Sequence, residues 1–199
     1  MNRRTPAIAL HLHPSAAPRE ARALTATVEA TDAGGLRLDY RLRAHPAGLR
    51  VPSPGPGGRR DLLWQHTCFE AFVAVEGEDA YREFNFSPSG AWALYAFERY
   101  RTPADPVAPA SGDPAIACGW VRGEFCLTAW IGAADLPARR DGAGLAIGLC
   151  AVVEDADGSL WYWAVRHHPD KPDFHDRDGR VVRLPAEMLR PAALREATP

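Results

Sequence analysis

Apolar and polar residues alternate with a period of two along most of the chain, and each alternating run stops at a cluster of Gly, Pro, Asp or Ser. That is the pattern of antiparallel strands joined by short turns. The clearest block spans residues 64 to 101 and divides into three strands at 76–79 and 87–90. Before it, 6–13 reads as a first strand with Ile8, Leu10 and Leu12 on one side, and 24–31 pairs with 35–43 around Asp32, Ala33 and Gly34. After it, 116–121 and 124–131 form a hairpin around Arg122-Gly123. A two-residue turn there sets Cys118 opposite Leu127 and Trp120 opposite Phe125, which collects apolar residues on one face and argues against a Cys118–Cys126 disulfide. The last clear hairpin, 145–154 with 159–167, closes around 155–158 and places Trp161 opposite Val152 and Trp163 opposite Cys150. Those two indoles read as core or as ligand-facing aromatics. Residues 181–184 suggest a closing strand and 185–198 a short helix or a frayed end. The Pro- and Gly-rich stretches 44–60 and 102–114 exclude a central strand or helix and read as long loops. The expectation is one all-β domain over 1–199, an antiparallel β-sandwich of two sheets.

Side-chain period then sorts the central block into faces. Trp64, His66, Cys68 and Glu70 share one side of the first strand. If 87–90 is the loop, Phe86 faces Ala91, Phe84 faces Ala93 and Arg82 faces Tyr95. Phe84, Phe86, Tyr95 and Phe97 would make an aromatic core face, while Glu83, Asn85 and Trp92 join Trp64, His66 and Glu70 on the opposite surface. Two indoles among hydrogen-bonding groups suit a platform on which a ligand packs and is oriented. A second layer of chain burying that surface is the other reading.

Composition narrows the partners. A net charge of −2 over 199 residues gives no electrostatic footprint for nucleic acid or an anionic membrane. The basic start at Arg3 and Arg4 leads into an apolar run broken by His11, His13 and Pro14, unlike a secretory signal, and no stretch is long and apolar enough to span a bilayer. A cytoplasmic protein with reduced cysteines is expected, since Cys68, Cys118, Cys126 and Cys150 form no CxxC pair. Arg59 and Arg60 are candidate anion partners on the first long loop. His167, His168, Asp170, Lys171, Asp173, His175, Asp176 and Asp178 crowd the tail, and Lys171 is the only lysine. Imidazoles and carboxylates can bind a metal, but the spacing fits no closed zinc pattern and Pro169 and Pro172 forbid a regular helix. We therefore expect a polar loop at the rim of the central face, contributing His168, Lys171 and His175, with no metal and no cofactor.

The succession WQHTCFEAFV, YREFNFSPSGAWALYAFERYR, FCLTAWIGAADLP and LAIGLCAVVEDADGSLWYWAVRHHPDKPDFH resembles the DOMON-like domains related to family 9 carbohydrate-binding modules, over about residues 7 to 184. The resemblance implies a jelly-roll-like β-sandwich that binds rather than catalyses. It further implies sugar rings held on aromatic side chains, with Trp64, Glu70, Asn85 and Trp92 in the matching positions. Some relatives bind haem through Met and His; here only Met1 and Met188 occur, neither on an expected strand. The expected ligand is thus small and polar, plausibly a sugar or glycoconjugate, held by Trp64, His66, Glu70, Glu83, Asn85, Trp92, His168, Lys171 and His175. Two alternatives stay open: an enzyme using His66 with Glu70 and Glu83 as an acid–base group, and a module that docks a protein on its Trp-bearing face.

Overall fold

Residues 3–15, 22–105 and 109–191 are described in a computed structural model, and apart from short 3₁₀ turns and one helical turn their regular elements are all β-strands. In chain order the strands are β1 (Ile8–Leu12), β2 (Ala23–Ala30), β3 (Leu36–Arg43), β4 (Gly58–Arg59), β5 (Cys68–Val75), β6 (Tyr81–Phe86) and β7 (Ala91–Arg99), then β8 (Thr102–Pro103), β9 (Ala115–Val121), β10 (Glu124–Ile131), β11 (Leu145–Glu154), β12 (Leu160–Ala164) and β13 (Val182–Leu184). One short helix, α1 (Ala186–Leu189), follows; the remainder of the expected C-terminal element, from 192 on, lies outside the described residues, as do Glu20 and Ala21 before β2.

Hydrogen bonding runs β4-β7-β6-β5-β11-β12-β1-β2-β3-β10-β9, with β13 added to β11 and β8 to β7. In place of two separate sheets there is one continuous sheet that curls on itself, because β1 pairs with β12 through His11 and Leu12 and with β2 through Ile8, Ala9 and Leu10. The sheet is mixed, since β4 runs parallel to β7. The two halves still pack face to face. β2, β3 and β10 bury every second residue, Leu24, Val28, Leu36, Leu38, Leu42 and Leu127 among them, against Phe69, Phe84, Phe86, Leu149 and Val153 of the other half. The Tyr40 hydroxyl crosses this interior to donate to the Glu70 carbonyl at 2.7 Å. β5 and β11 are buried at every position, so both of their faces are covered. Among the described residues no helix is long and apolar enough to cross a membrane.

The turns decide the faces. Arg122 and Gly123, both at positive φ, make the two-residue turn that puts Cys118 opposite Leu127, and all four cysteines are free thiols. The β6–β7 and β11–β12 connections are one residue shorter than the expected four. Ser87 N–H donates to the Ala91 carbonyl at 2.9 Å, and Asp155 N–H to the Ser159 carbonyl at 2.9 Å. Each loop therefore has three residues and ends in a glycine at positive φ, Gly90 at 85° and Gly158 at 89°. This is the usual three-residue hairpin, in which a left-handed residue completes the turn.

A one-residue shift in register exchanges the two faces of the incoming strand. Phe86 pairs with Trp92, Phe84 with Leu94 and Glu83 with Tyr95. Trp92 is therefore not on the ligand surface but in the core at 2% exposure, and Tyr95 and Phe97, expected in the core, face the opposite way. The same correction at β11–β12 pairs Trp163 with Ala151 and Trp161 with Val153, turning both indoles to the core and Tyr162 to the other side. We predict that Trp92→Ala lowers stability by about 3–5 kcal/mol, the cost of emptying a large core site, whereas Trp92→Phe loses much less; urea denaturation of both variants checks this.

Candidate functional site

The face of β5, β6 and β7 that turns away from the core carries, in cross-strand rows, Glu70 beside Asn85 and Ala93, and Phe72 beside Glu83 and Tyr95. β11 and β12 extend it with Val152 beside Tyr162. The chain after β12 folds back over this face. It is fastened by Asp173, 5% exposed, whose carboxylate accepts from the Tyr100 hydroxyl at 2.5 Å and from Arg101 Nη2 at 2.9 Å, with Lys171 Nζ 3.4 Å away. Burial alone would raise the Asp173 pKa, but the bonds from Tyr100 and Arg101 outweigh it and hold the carboxyl down at about 2. The crowded acidic and imidazole tail is thus a strap. It brings Pro172, Phe174 and His175 over the sheet, and Trp64, in the 3₁₀ turn Leu63–Gln65, closes the opposite side.

Strap and sheet enclose a cavity of about 350 Å³. Its walls are aromatic: Trp64, Phe72, Tyr95, Phe97, Tyr162 and Phe174. Trp64 is 38% exposed and meets Tyr95 edge-on at 6.0 Å, which places it at the mouth. Glu70 and Glu83 also line the cavity and are buried to 2% and 5% exposure. Asn85, fully buried, donates from Nδ2 to Glu83 Oε1 at 2.8 Å, while Glu70 Oε1 and Asn85 Oδ1 have no hydrogen-bond partner.

Both carboxyls are pushed toward the protonated form. For Glu70 burial dominates, followed by the nearby Glu83; for Glu83 burial lifts the pKa to about 7 against the Asn85 bond and the Arg101 charge. The pair therefore retains a proton into the neutral range. His175 moves the other way, to about 4, through burial first and then the positive Arg101. The Tyr81 hydroxyl accepts from Arg101 N–H at 3.3 Å and lies 2.7 Å from His175 Nδ1. It donates its own proton to that nitrogen, so neutral His175 carries its hydrogen on Nε2, 3.7 Å from Glu83 Oε2.

Of the residues nominated from sequence, Trp64, Glu70, Glu83 and His175 meet at the cavity, and Asn85 supports Glu83 from beneath. Trp92 lies behind them, in the core. His66 belongs to the turn before β5, where Nδ1 meets Glu154 Oε2 at 2.7 Å and most of the ring is in solvent. His168 Nδ1 accepts from Asp170 N–H in a local turn, and Lys171 reaches no further than Asp173. Arg59 pairs with Asp61 and lies over Tyr95, 5.8 Å from the ring centre. No group of three or more His, Cys, Asp or Glu among the described residues is placed to hold a metal ion. The alternation missed Tyr95, Tyr162 and Phe174; the glycines closing the two turns were the signal for the first two.

A larger depression, about 650 Å³, lies between residues 133–142 and α1. It is lined by arginines and small residues without one aromatic ring, so the smaller cavity is the better candidate.

Raised carboxyl pKa values fix a sign for stability. Between about pH 4.5 and 7 the folded pair binds more protons than the unfolded chain, so its contribution falls as pH rises. His175, lowered to about 4, opposes this below its ordinary 6.5, because the unfolded chain binds the extra proton there. We therefore predict that Glu70→Gln gains stability relative to the native protein as pH rises from about 5 to 7.5, by order 1–3 kcal/mol; denaturation midpoints of the two proteins across that range test it.

No protein-family model matches the chain, and no curated protein is recognisably similar to it in sequence. Its fold is found among solved structures. A "putative carbohydrate-binding protein" from Bacteroides uniformis superposes with a TM-score of 0.70 at 14% identity, over 90% of this chain and 85% of the other. A family 9 carbohydrate-binding module from Caldicellulosiruptor kristjanssonii in complex with cellotriose gives 0.56 at 8% identity, over 88% and 80%. A family 9 module from the same organism in complex with glucose gives 0.52 at 9% identity, over 79% and 75%. At these identities the likeness is one of architecture: the chain has a β-sandwich fold like that of family 9 carbohydrate-binding modules.

Proposed function

We propose that this chain is a non-catalytic binding domain for a small polar ligand, a sugar or glycoconjugate, and that the ligand occupies the cavity between the β5–β7 face and the strap. One observation carries the reading: six aromatic side chains converge with two buried carboxyls in a hollow of about 350 Å³. The apolar faces of a sugar ring pack on aromatic rings while its hydroxyls bond to a few fixed polar groups, and this lining offers both. Glu70 Oε1, buried and unpaired on the cavity lining, is an acceptor for such a hydroxyl. The fold of sugar-binding neighbours supports the same class of ligand. A DOMON-like, jelly-roll placement and a cytoplasmic location belong to this proposal.

Glu83, raised to about 7 beside a second protonated carboxyl, favours a second reading, an acid–base enzyme acting on glycosides. Release of nitrophenol from nitrophenyl glycosides by the native protein, abolished in Glu83→Gln, would favour that reading.

For the binding reading, Trp64→Ala and Tyr95→Ala are each expected to weaken sugar binding by about 1–3 kcal/mol, while Trp92→Phe, changed only in the core, binds as the native protein does. Calorimetric titration with a panel of mono- and disaccharides measures this, and equal affinities for Tyr95→Ala and the native protein would remove the cavity from consideration.

A further inference from the structure

We propose that the ligand of this cavity is cationic: a saturated ring bearing a protonated amine, of the amino-sugar class, with its ammonium against Glu70 and Glu83. This deepens the binding reading above and rests on it.

Glu70 and Glu83 stand diagonally on adjacent strands, in neighbouring cross-strand rows, on the lining of a half-open hollow. Among the described residues neither forms an ion pair with a lysine or arginine; the one basic group within 4 Å is His175, at 3.7 Å from Glu83. The Tyr81 hydroxyl occupies its Nδ1, and burial keeps the ring neutral. Arg101 also lines the hollow and its charge reaches Glu83, but its guanidinium is bonded to Asp173 at 2.9 Å and lies over Tyr100, not against either carboxyl. Arg180 lies over Tyr81, 4.6 Å from the ring centre. The other titratable groups near the pair are Tyr40, Cys68, Cys150, Tyr81 and Tyr95, all with raised pKa values through burial and none able to supply a cation. Glu70, 98% buried, meanwhile leaves Oε1 without any partner.

Burial keeps a proton on the pair into the neutral range, and an ammonium set against it supplies the counter-charge that lets the carboxyls ionise, the proton leaving to solvent. The aromatic walls add attraction, because a cation beside a ring meets its negative face. A neutral sugar gains the packing but brings no charge to take the place of that proton.

Calorimetric titration at pH 6.5 with glucosamine, glucose and N-acetylglucosamine tests the inference, with cyclohexylammonium and cyclohexanol as a hydroxyl-free pair. Glucosamine is expected to bind about tenfold more tightly than either neutral sugar. Glu70→Gln, or Glu83→Gln should the first not fold, is expected to erase most of that preference, read as the ratio of glucosamine to glucose affinity in the same variant. Glucose binding as well as glucosamine would overturn the cationic ligand and leave the sugar reading intact. Cyclohexylammonium binding in preference to cyclohexanol, with no sugar bound, would support the cation and overturn the sugar. No binding in any arm would overturn both.

Discussion

The pairing of β6 with β7 through a three-residue turn is the constraint on which the site depends. With Pro88, Ser89 and Gly90 as the loop, Phe84, Phe86, Trp92 and Leu94 fall on one face and Glu83, Asn85, Tyr95 and Phe97 on the other. Hydrophobic burial then chooses between them, since the first set fills the interior against β3 and β10 while the second retains the polar groups. Gly90 makes this geometry accessible, because a residue with a Cβ is disfavoured at its φ of 85°.

Once the faces are assigned, the outer one has to be covered, because β5 and β11 are apolar on both sides. The strap after β12 covers it, yet without sealing it completely. Asp173 fastens the strap at one point, and Phe174 and His175 rest on Phe72 and Phe97. Aromatic rings against aromatic rings at 5.0–6.4 Å line a hollow that also holds two carboxyls, and one of them, Glu70, keeps a buried oxygen without a partner. Buried, incompletely satisfied polar groups cost stability, so their place in a cavity is itself an argument for a ligand.

The architecture is that of known sugar-binding folds, but shared architecture does not carry a site with it. What is particular to this chain is local: six aromatic side chains and two buried carboxyls around a hollow of about 350 Å³.

Much of the fold was legible from alternation and turn residues alone. The β2–β3 and β9–β10 hairpins, their registers and the free cysteines follow from local chemistry, because a three-residue Asp-Ala-Gly loop and a two-residue Arg-Gly turn leave no competing pairing with a clean apolar face. Alternation likewise put Glu70 and Glu83 on one face of the sheet, and both line the cavity together with Trp64. Loop length at 87–91 and 155–159 was not, since four-residue and three-residue closures both fit the letters and differ only in which side each aromatic faces. That choice, which sends Trp92 inward and Tyr95 outward, is made by the packing of two halves of a curled sheet. So is the strap over the site: Asp173 is 72 residues from Arg101 in sequence, and no local pattern records that the two carry one ion pair. Sequence set the strands and their polarity; the free energy of filling one shared interior decided which groups were left to face the cavity.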